Sequence, residues 1–277
     1  MGYLEAAGVR KTFEVEEGEP TVAVEEFTLS MAEGEFVALL GPSGCGKSTV
    51  LNIMAGFLRP SAGHVLVEGQ RVTAPGSDRG VVFQEHALFP WMRVLDNVTF
   101  GLRLRGVPRR ERLAMGQRFV DLVGLTGFER HWPRQLSGGM KQRVAIARAL
   151  TNDPKVLLMD EPFGALDAQN RRMMQDELVK IWAATKKTCL FVTHSIEEAL
   201  LLADRVVTMT ARPGRIKAVH EVSLARPRDD AAPAFVTLKR ELADLLQQEL
   251  PAEAGRVAGG GVTRHTTMTR TDDGGTR

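Results

Sequence analysis

The feature that most constrains this chain is a run of nine residues, Gly41-Pro42-Ser43-Gly44-Cys45-Gly46-Lys47-Ser48-Thr49. It fits the pattern G-x-x-x-x-G-K-[ST], a loop whose glycines let the backbone wrap tightly and turn its N–H groups inward. Its context matters as much as its pattern. Phe36-Val37-Ala38-Leu39-Leu40 before it reads as a buried strand, and Val50, Leu51, Ile53 and Met54 after it read as a helix. A strand, such a loop and a helix N-terminus in that order put positive potential where phosphates sit. In a loop of this kind Lys47 reaches the β- and γ-phosphates of a nucleotide, Ser48 ligates Mg²⁺ and Thr49 touches the α-phosphate. Cys45 reads as a small residue tolerated at a variable loop position.

The strand–loop–helix unit repeats its grammar downstream. Val156-Leu157-Leu158-Met159 is a second continuous apolar run, as parallel strands buried on both faces require. Leu190-Phe191-Val192 and Val206-Val207-Thr208-Met209 read as two more strands. Met140, Val144 and Ala147, and then Met174, Leu178, Ile181 and Trp182, follow helical spacing between them. Alternating strands and helices predict an α/β fold around a mainly parallel sheet. The first 35 or so residues alternate differently and predict a small antiparallel sheet. From about Val94 the strand signals stop. Leu95, Val98, Leu102 and Leu104 predict one helix, and Leu113, Phe119, Leu122 and Val123 another, so a helical subdomain is expected at about 94–150. Phe235, Leu238, Leu242, Leu245 and Leu246 mark a C-terminal amphipathic helix. Residues 251–277 hold Gly and Thr but no Leu, Ile or aromatic residue, and a flexible tail is expected there. The expected division is 1–225 as one nucleotide-binding domain, 226–250 as a helical extension and 251–277 as tail.

Composition narrows the partners. The 36 Lys and Arg residues against 34 Asp and Glu leave a net charge of +2, with no basic stripe, so nucleic acid is not an expected partner. Cys45 and Cys189 form no metal-binding or redox spacing, as in a reducing compartment. No apolar run nears the roughly 20 residues that cross a bilayer, and Met1-Gly2-Tyr3-Leu4-Glu5 does not begin a leader.

Two further segments carry chemistry. The strand at Val156 ends in Asp160-Glu161. Beside a phosphate loop, Asp160 at the strand tip can hold the Mg²⁺ shell, and Glu161 can orient or deprotonate a water attacking the γ-phosphate. Leu136-Ser137-Gly138-Gly139-Met140-Lys141-Gln142-Arg143 places a serine and two glycines at a helix start. That is a second anion-binding device, and equally an ordinary serine N-cap.

With these residues in order, the chain resembles the ATPase subunit of an ATP-binding cassette (ABC) transporter. The matching motifs span about Val9 to Arg215. They are the phosphate loop, Gln84 in Val82-Phe83-Gln84, the signature Leu136 to Arg143, Asp160-Glu161, Ala165-Leu166-Asp167 and Thr193-His194. The resemblance implies a P-loop ATPase core that works as a head-to-tail dimer of two copies with two ATP molecules between them. It implies that Ser137, Gly138 and Gly139 contact the γ-phosphate held by the partner. It further implies that Gln84 senses Mg²⁺ and water, that Asp167 couples the two sites, and that His194 contacts the γ-phosphate and holds the catalytic geometry. Phe13 matches an aromatic that stacks on adenine, where Tyr is common, and reads alternatively as an apolar edge-strand residue. Met140 stands where Gln is frequent and Ser195 where Asp is frequent; neither position carries hydrolysis chemistry.

The type of transporter is narrowed by the same resemblance. Phe57, the segment from Pro75 to Gln84, Phe89-Pro90-Trp91, Pro162-Phe163-Gly164 and Ala211-Arg212-Pro213-Gly214-Arg215 are similar to the nitrate, sulfonate and taurine importer group, taurine and alkanesulfonate ATPases above all. His86, Leu88, Phe89, Pro90 and Trp91 are then the expected docking surface for a transmembrane permease, with Phe89 and Trp91 as core residues the alternative reading. The implied place of work is the cytoplasmic face of the bacterial inner membrane, reached peripherally, with a solute-binding protein as an indirect partner. The same ATPase role for another small solute, such as a pyrimidine precursor, and a non-transport ABC ATPase are the competing readings.

Overall fold

The computed structural model describes residues 2–15 and 18–249. Strands β1 (Leu4–Phe13) and β2 (Thr21–Met31) pair antiparallel, from Leu4 opposite Met31 to Phe13 opposite Thr21. Next come β3 (Phe36–Leu40), the phosphate loop and α1 (Lys47–Ala55). The chain then returns to the first sheet, where β4 (Ala62–Val67) and β5 (Gln70–Arg71) complete the order β2-β1-β4-β5. The antiparallel sheet expected from the first 35 residues therefore takes half its strands from beyond the phosphate loop.

Strand β6 (Arg79–Val82) leads into the helical segment of α2 (Val94–Val98), α3 (Phe100–Leu104), α4 (Arg109–Leu122) and α5 (Gly138–Leu150). The single helix expected over Leu95 to Leu104 is two short ones. Thr99 lies between them, and its N–H and its hydroxyl both donate to the Leu95 carbonyl, at 3.0 and 2.8 Å.

The remaining elements are β7 (Val156–Asp160), α6 (Ala168–Thr185), β8 (Thr188–Thr193), α7 (Ile196–Leu202), β9 (Arg205–Met209), β10 (Ile216–Glu221) and α8 (Pro233–Gln247). The second sheet has the order β10-β9-β3-β8-β7-β6, parallel except for β10. Strand β3 lies inside it, and its five residues are fully buried because both faces are covered. Val37 and Leu39 point into one core with α1 and β2. Phe36, Ala38 and Leu40 point into the other with α5, α6 and α7. Period-2 alternation between two apolar layers explains why the strand carries no polar residue. Phe235 and Leu242 of α8 are buried in that second core. The tail expected at 251–277 lies outside the described residues.

Candidate active site

The C-terminal ends of β3, β7 and β8 open on one side of the sheet, and the loops that follow them carry the candidate residues. This is where α/β sheets place ligands, since helix N-termini and strand ends converge there. Gly46 precedes α1 with φ 98°, a left-handed value that lets the loop turn directly into the helix. The Lys47 side chain is only 4% exposed, and its ammonium donates to the carbonyls of Gly41 and Pro42 at 2.8 and 2.9 Å. It is thus held inside the loop it serves.

Across the loop, the Ser48 hydroxyl donates to Asp160 Oδ1 at 3.1 Å. Burial pushes the Asp160 carboxyl up from its ordinary range, only partly opposed by that bond. Glu161 follows with φ 42°, a strained value for a residue with a Cβ. Its N–H is bonded to the Val192 carbonyl of β8 at 3.0 Å and its carbonyl to the Gly164 N–H at 3.0 Å, which fixes the twist. Glu161 Oε2 lies 3.0 Å from His194 Nδ1. With a carboxylate as acceptor, Nδ1 is the protonated nitrogen and Nε2 is left free to face outward.

His194 is itself positioned from behind. The Thr193 hydroxyl donates to the buried Glu198 at 2.6 Å and accepts from the Ser195 N–H at 3.0 Å, while Ser195 caps α7 by accepting from the Glu198 N–H. Gln84 lies over the same turn, its Nε2 3.0 Å from where a Cβ on Gly164 would sit. A cavity of about 330 Å³ unites Ser43, Gly44, Gly46, Lys47, Ser48, Thr49 and Glu161 with Phe13 and Arg212. Phe13 is 40% exposed at the end of β1, and Lys11 stands over its ring at 5.1 Å.

Hard oxygen donors at Ser48 and Asp160 suit Mg²⁺, which takes one or two carboxylates and completes its shell with phosphate oxygens and water. Among the described residues no group of three His, Cys, Asp or Glu side chains forms a dedicated metal cage, and Mg²⁺ of this kind needs none.

The signature segment stands apart. Ser137 is the N-cap of α5, accepting from the Met140 N–H at 3.3 Å, so the capping reading is realised. Asp167 caps α6 in the same way from the Asn170 N–H at 3.0 Å, and that contact holds its carboxyl below the usual range. Ser137 and Gly139 line a separate cavity of about 260 Å³ that shares no residue with the phosphate-loop cavity.

In the expected docking segment Pro90 and Trp91 are exposed, while His86, Leu88 and Phe89 are half-buried. Trp91 is 68% exposed, which removes it from the core, whereas Phe89 is half-buried, packed at a tilt against Phe100 with 4.5 Å between ring centres. A groove of about 600 Å³ runs between Phe57, Phe83, Phe89, Leu104 and Arg148. Two residues that sequence reasoning passed over hold it in shape. Fully buried Asn97 exchanges hydrogen bonds with the Phe89 backbone and donates to the Met92 and Arg93 carbonyls. Arg148 donates to the His86 and Ala87 carbonyls.

Comparison with known proteins places this geometry. The family model described as "ABC transporter" matches residues 24–164. An ABC transporter ATP-binding protein of Methanocaldococcus jannaschii is 51% identical over 89% of this chain and 92% of its own length. A nitrate import ATP-binding protein of Synechocystis is 47% identical over 86% and 88%. A taurine import ATP-binding protein of Burkholderia pseudomallei is 52% identical over 74% and 78%. Among solved structures, the dimeric post-hydrolysis state of the ATP-binding cassette MJ0796, bound to ADP and Pi, superposes with a TM-score of 0.69. It is 32% identical and covers 80% of this chain and all of its own.

Proposed function

The chain belongs to the ABC transporter family as an ATP-hydrolysing cassette, and from that premise we propose that it powers the import of a small anion or zwitterion through a separate permease. Taurine, an alkanesulfonate or nitrate is the class of solute, a reading supported by the relatives named for nitrate and taurine import. The observation that carries the mechanism is the convergence of Lys47, Ser48, Asp160, Glu161 and His194 at the ends of three neighbouring strands.

Phe13 stacks on adenine, and Gly41, Pro42, Ser43, Gly44, Cys45, Gly46 and Thr49 wrap the phosphates with backbone and side-chain donors. Ser48, Asp160 and Gln84 would hold Mg²⁺, which when bound offsets charge on the β- and γ-phosphate oxygens. Glu161 orients the attacking water and accepts its proton, while His194 holds the Glu161 carboxylate and faces the γ-phosphate. Lys47 turns from its loop carbonyls to the charge that develops on the phosphoryl oxygens. Ser137, Gly138 and Gly139 of a second copy close the site from the other side, and Asp167 links the two sites. The groove around Phe89 and Trp91 receives a helix of the permease at the cytoplasmic face of the inner membrane, an aromatic-lined helix-in-groove contact. No helix among the described residues is long and apolar enough to cross a membrane. The working cassette is residues 1–225, with 94–150 as its helical subdomain and 226–250 as an extension.

The test is uptake by membrane vesicles that carry the permease, the solute-binding protein and this chain. Taurine, alkanesulfonate and nitrate are offered in turn with ATP inside. One of them is expected to accumulate, and Glu161→Gln is expected to abolish accumulation while ATP still binds. Uptake undiminished by Glu161→Gln refutes the role of Glu161, and uptake of none of the three refutes the solute class.

A further inference from the structure

The turn between β9 and β10 carries two arginines, and the fold treats them differently. Arg215 is neutralised by Glu25 at 2.6 Å. Arg212 has no carboxylate partner among the described residues; its one hydrogen bond runs from Nε to the Gly44 carbonyl of the phosphate loop at 2.9 Å. A guanidinium has five N–H donors, so most of its capacity remains uncommitted.

The turn that presents Arg212 is anchored on three sides. Its Gly214 N–H donates to the Ala23 carbonyl at 3.0 Å, and the Gly214 carbonyl accepts from the Glu25 N–H at 2.9 Å. The Thr210 hydroxyl ties the turn internally, donating to the Pro213 carbonyl and accepting from the Arg215 N–H. The Ala211 N–H donates to Glu249 just beyond α8, whose carboxylate also pairs with Lys217 at 2.6 Å. Gly214 packs so closely on the phosphate loop that a Cβ there would overlap the Cys45 carbonyl. Arg212 is therefore aimed at the loop by a rigid mount, and it lines the cavity that holds Lys47, Phe13 and Glu161.

We propose that Arg212 is a further nucleotide-positioning residue, which bolts the phosphate loop through the Gly44 carbonyl and offers its free guanidinium edge to the bound polyphosphate. Lys47 is buried and bonded to loop carbonyls, whereas Arg212 is exposed, so Arg212 is the cation an incoming nucleotide meets first. Its contribution is to ground-state binding, shared by ATP and ADP, rather than to the chemical step. The inference rests on the reading of this cavity as the nucleotide site.

The experiment measures Kd for MgATP and MgADP by calorimetry, with KM and kcat for hydrolysis, on the full chain and on Arg212→Ala, Arg212→Gln and Arg212→Lys. The Ala and Gln variants are expected to raise both Kd values and KM about tenfold, as loss of a charged hydrogen-bond donor does. Their kcat should stay within about twofold, the signature of uniform binding. Arg212→Lys keeps the charge and should bind within about threefold of the parent chain. Melting temperature without nucleotide should fall by no more than about 4 °C for all three, the loss of the one bond to the Gly44 carbonyl. Unchanged affinity in Arg212→Ala, a fall in kcat at unchanged Kd, or a lysine variant as weak as the alanine one each overturns the proposal. A parent chain that binds neither nucleotide overturns the reading of the cavity instead, and is told apart because no variant is then needed to see it.

Discussion

Two helix N-termini in this molecule are proposed above to receive phosphate, and they differ in what surrounds them. At α1 the loop closes around a buried lysine, Ser48 stands in the first turn, and Asp160, Glu161 and His194 are brought in from the ends of neighbouring strands. At α5 the Ser137 cap and Gly138 are exposed, and the adjoining cavity is walled by Phe128, Met140, Arg143, Met173 and Met174 with neither a lysine nor a carboxylate. Both ends offer N–H groups and a helix dipole. Only the first gathers a lysine together with carboxylates. A device that is open on its own chain and separate from the site it resembles makes sense when its ligand arrives on another molecule, which is the arrangement proposed above.

That contrast can be broken most directly at its stronger end. Lys47→Ala removes the cation from the enclosed device, and kcat/KM for ATP is expected to fall by about a hundredfold or more, as when a donor to developing charge is lost. An Arg at Ser137 tests the other end. Ser137→Arg should leave the nucleotide affinity of the separate chain within about twofold while hydrolysis falls about tenfold, because only the paired state needs the open device. Calorimetry and a phosphate-release assay read the two quantities. Equal loss of affinity in both variants would show that the two devices share one site within the chain, and the contrast would fail.

A smaller effect separates the two caps by their charge. Ser137→Ala should cost about 1 kcal/mol of stability at any pH, since a neutral hydroxyl is lost. Asp167→Ala should show a penalty that depends on pH. The Asn170 N–H and side chain lower the Asp167 pKa in the folded state, so its stabilising contribution is present above the ordinary carboxylate range. It is lost as pH falls through the lowered folded value. Thermal unfolding of the two variants against the parent chain at neutral and acid pH should give a constant gap for Ser137→Ala and a closing one for Asp167→Ala.

The same contrast explains what was legible. The enclosed device is written in contiguous residues, 41–49, whose glycine spacing has a single geometric use, and the buried strands around it lack polar residues because both faces are covered. Asp160 and Glu161 were legible as a strand end for the same reason. Strand β4, with exposed Ala62 and Gly63 at its start, and the two-residue β5 carry too little pattern to announce a return to the first sheet. The break at Thr99 was invisible in the apolar spacing, because Leu95, Val98 and Leu102 keep helical spacing across it. The contacts of Arg148 and Arg212 were not legible because each acts on backbone carbonyls of a loop 61 or more residues away in sequence, whereas Asn97 bonds backbone only four to eight residues before it, through a buried side chain that apolar spacing does not mark.

By itself, then, the sequence determined the class of fold, the phosphate loop and the identity of the charged residues available to it, since local backbone geometry and burial period depend on neighbours along the chain. Only the tertiary structure decided that Glu161 and His194 meet at 3.0 Å, that Trp91 stands in solvent while Phe89 packs, and that Arg212 faces the loop while Arg215 is neutralised. Each of those depends on which strands lie side by side and which turn is anchored on which sheet. Long-range packing sets that order, and no stretch of adjacent residues records it.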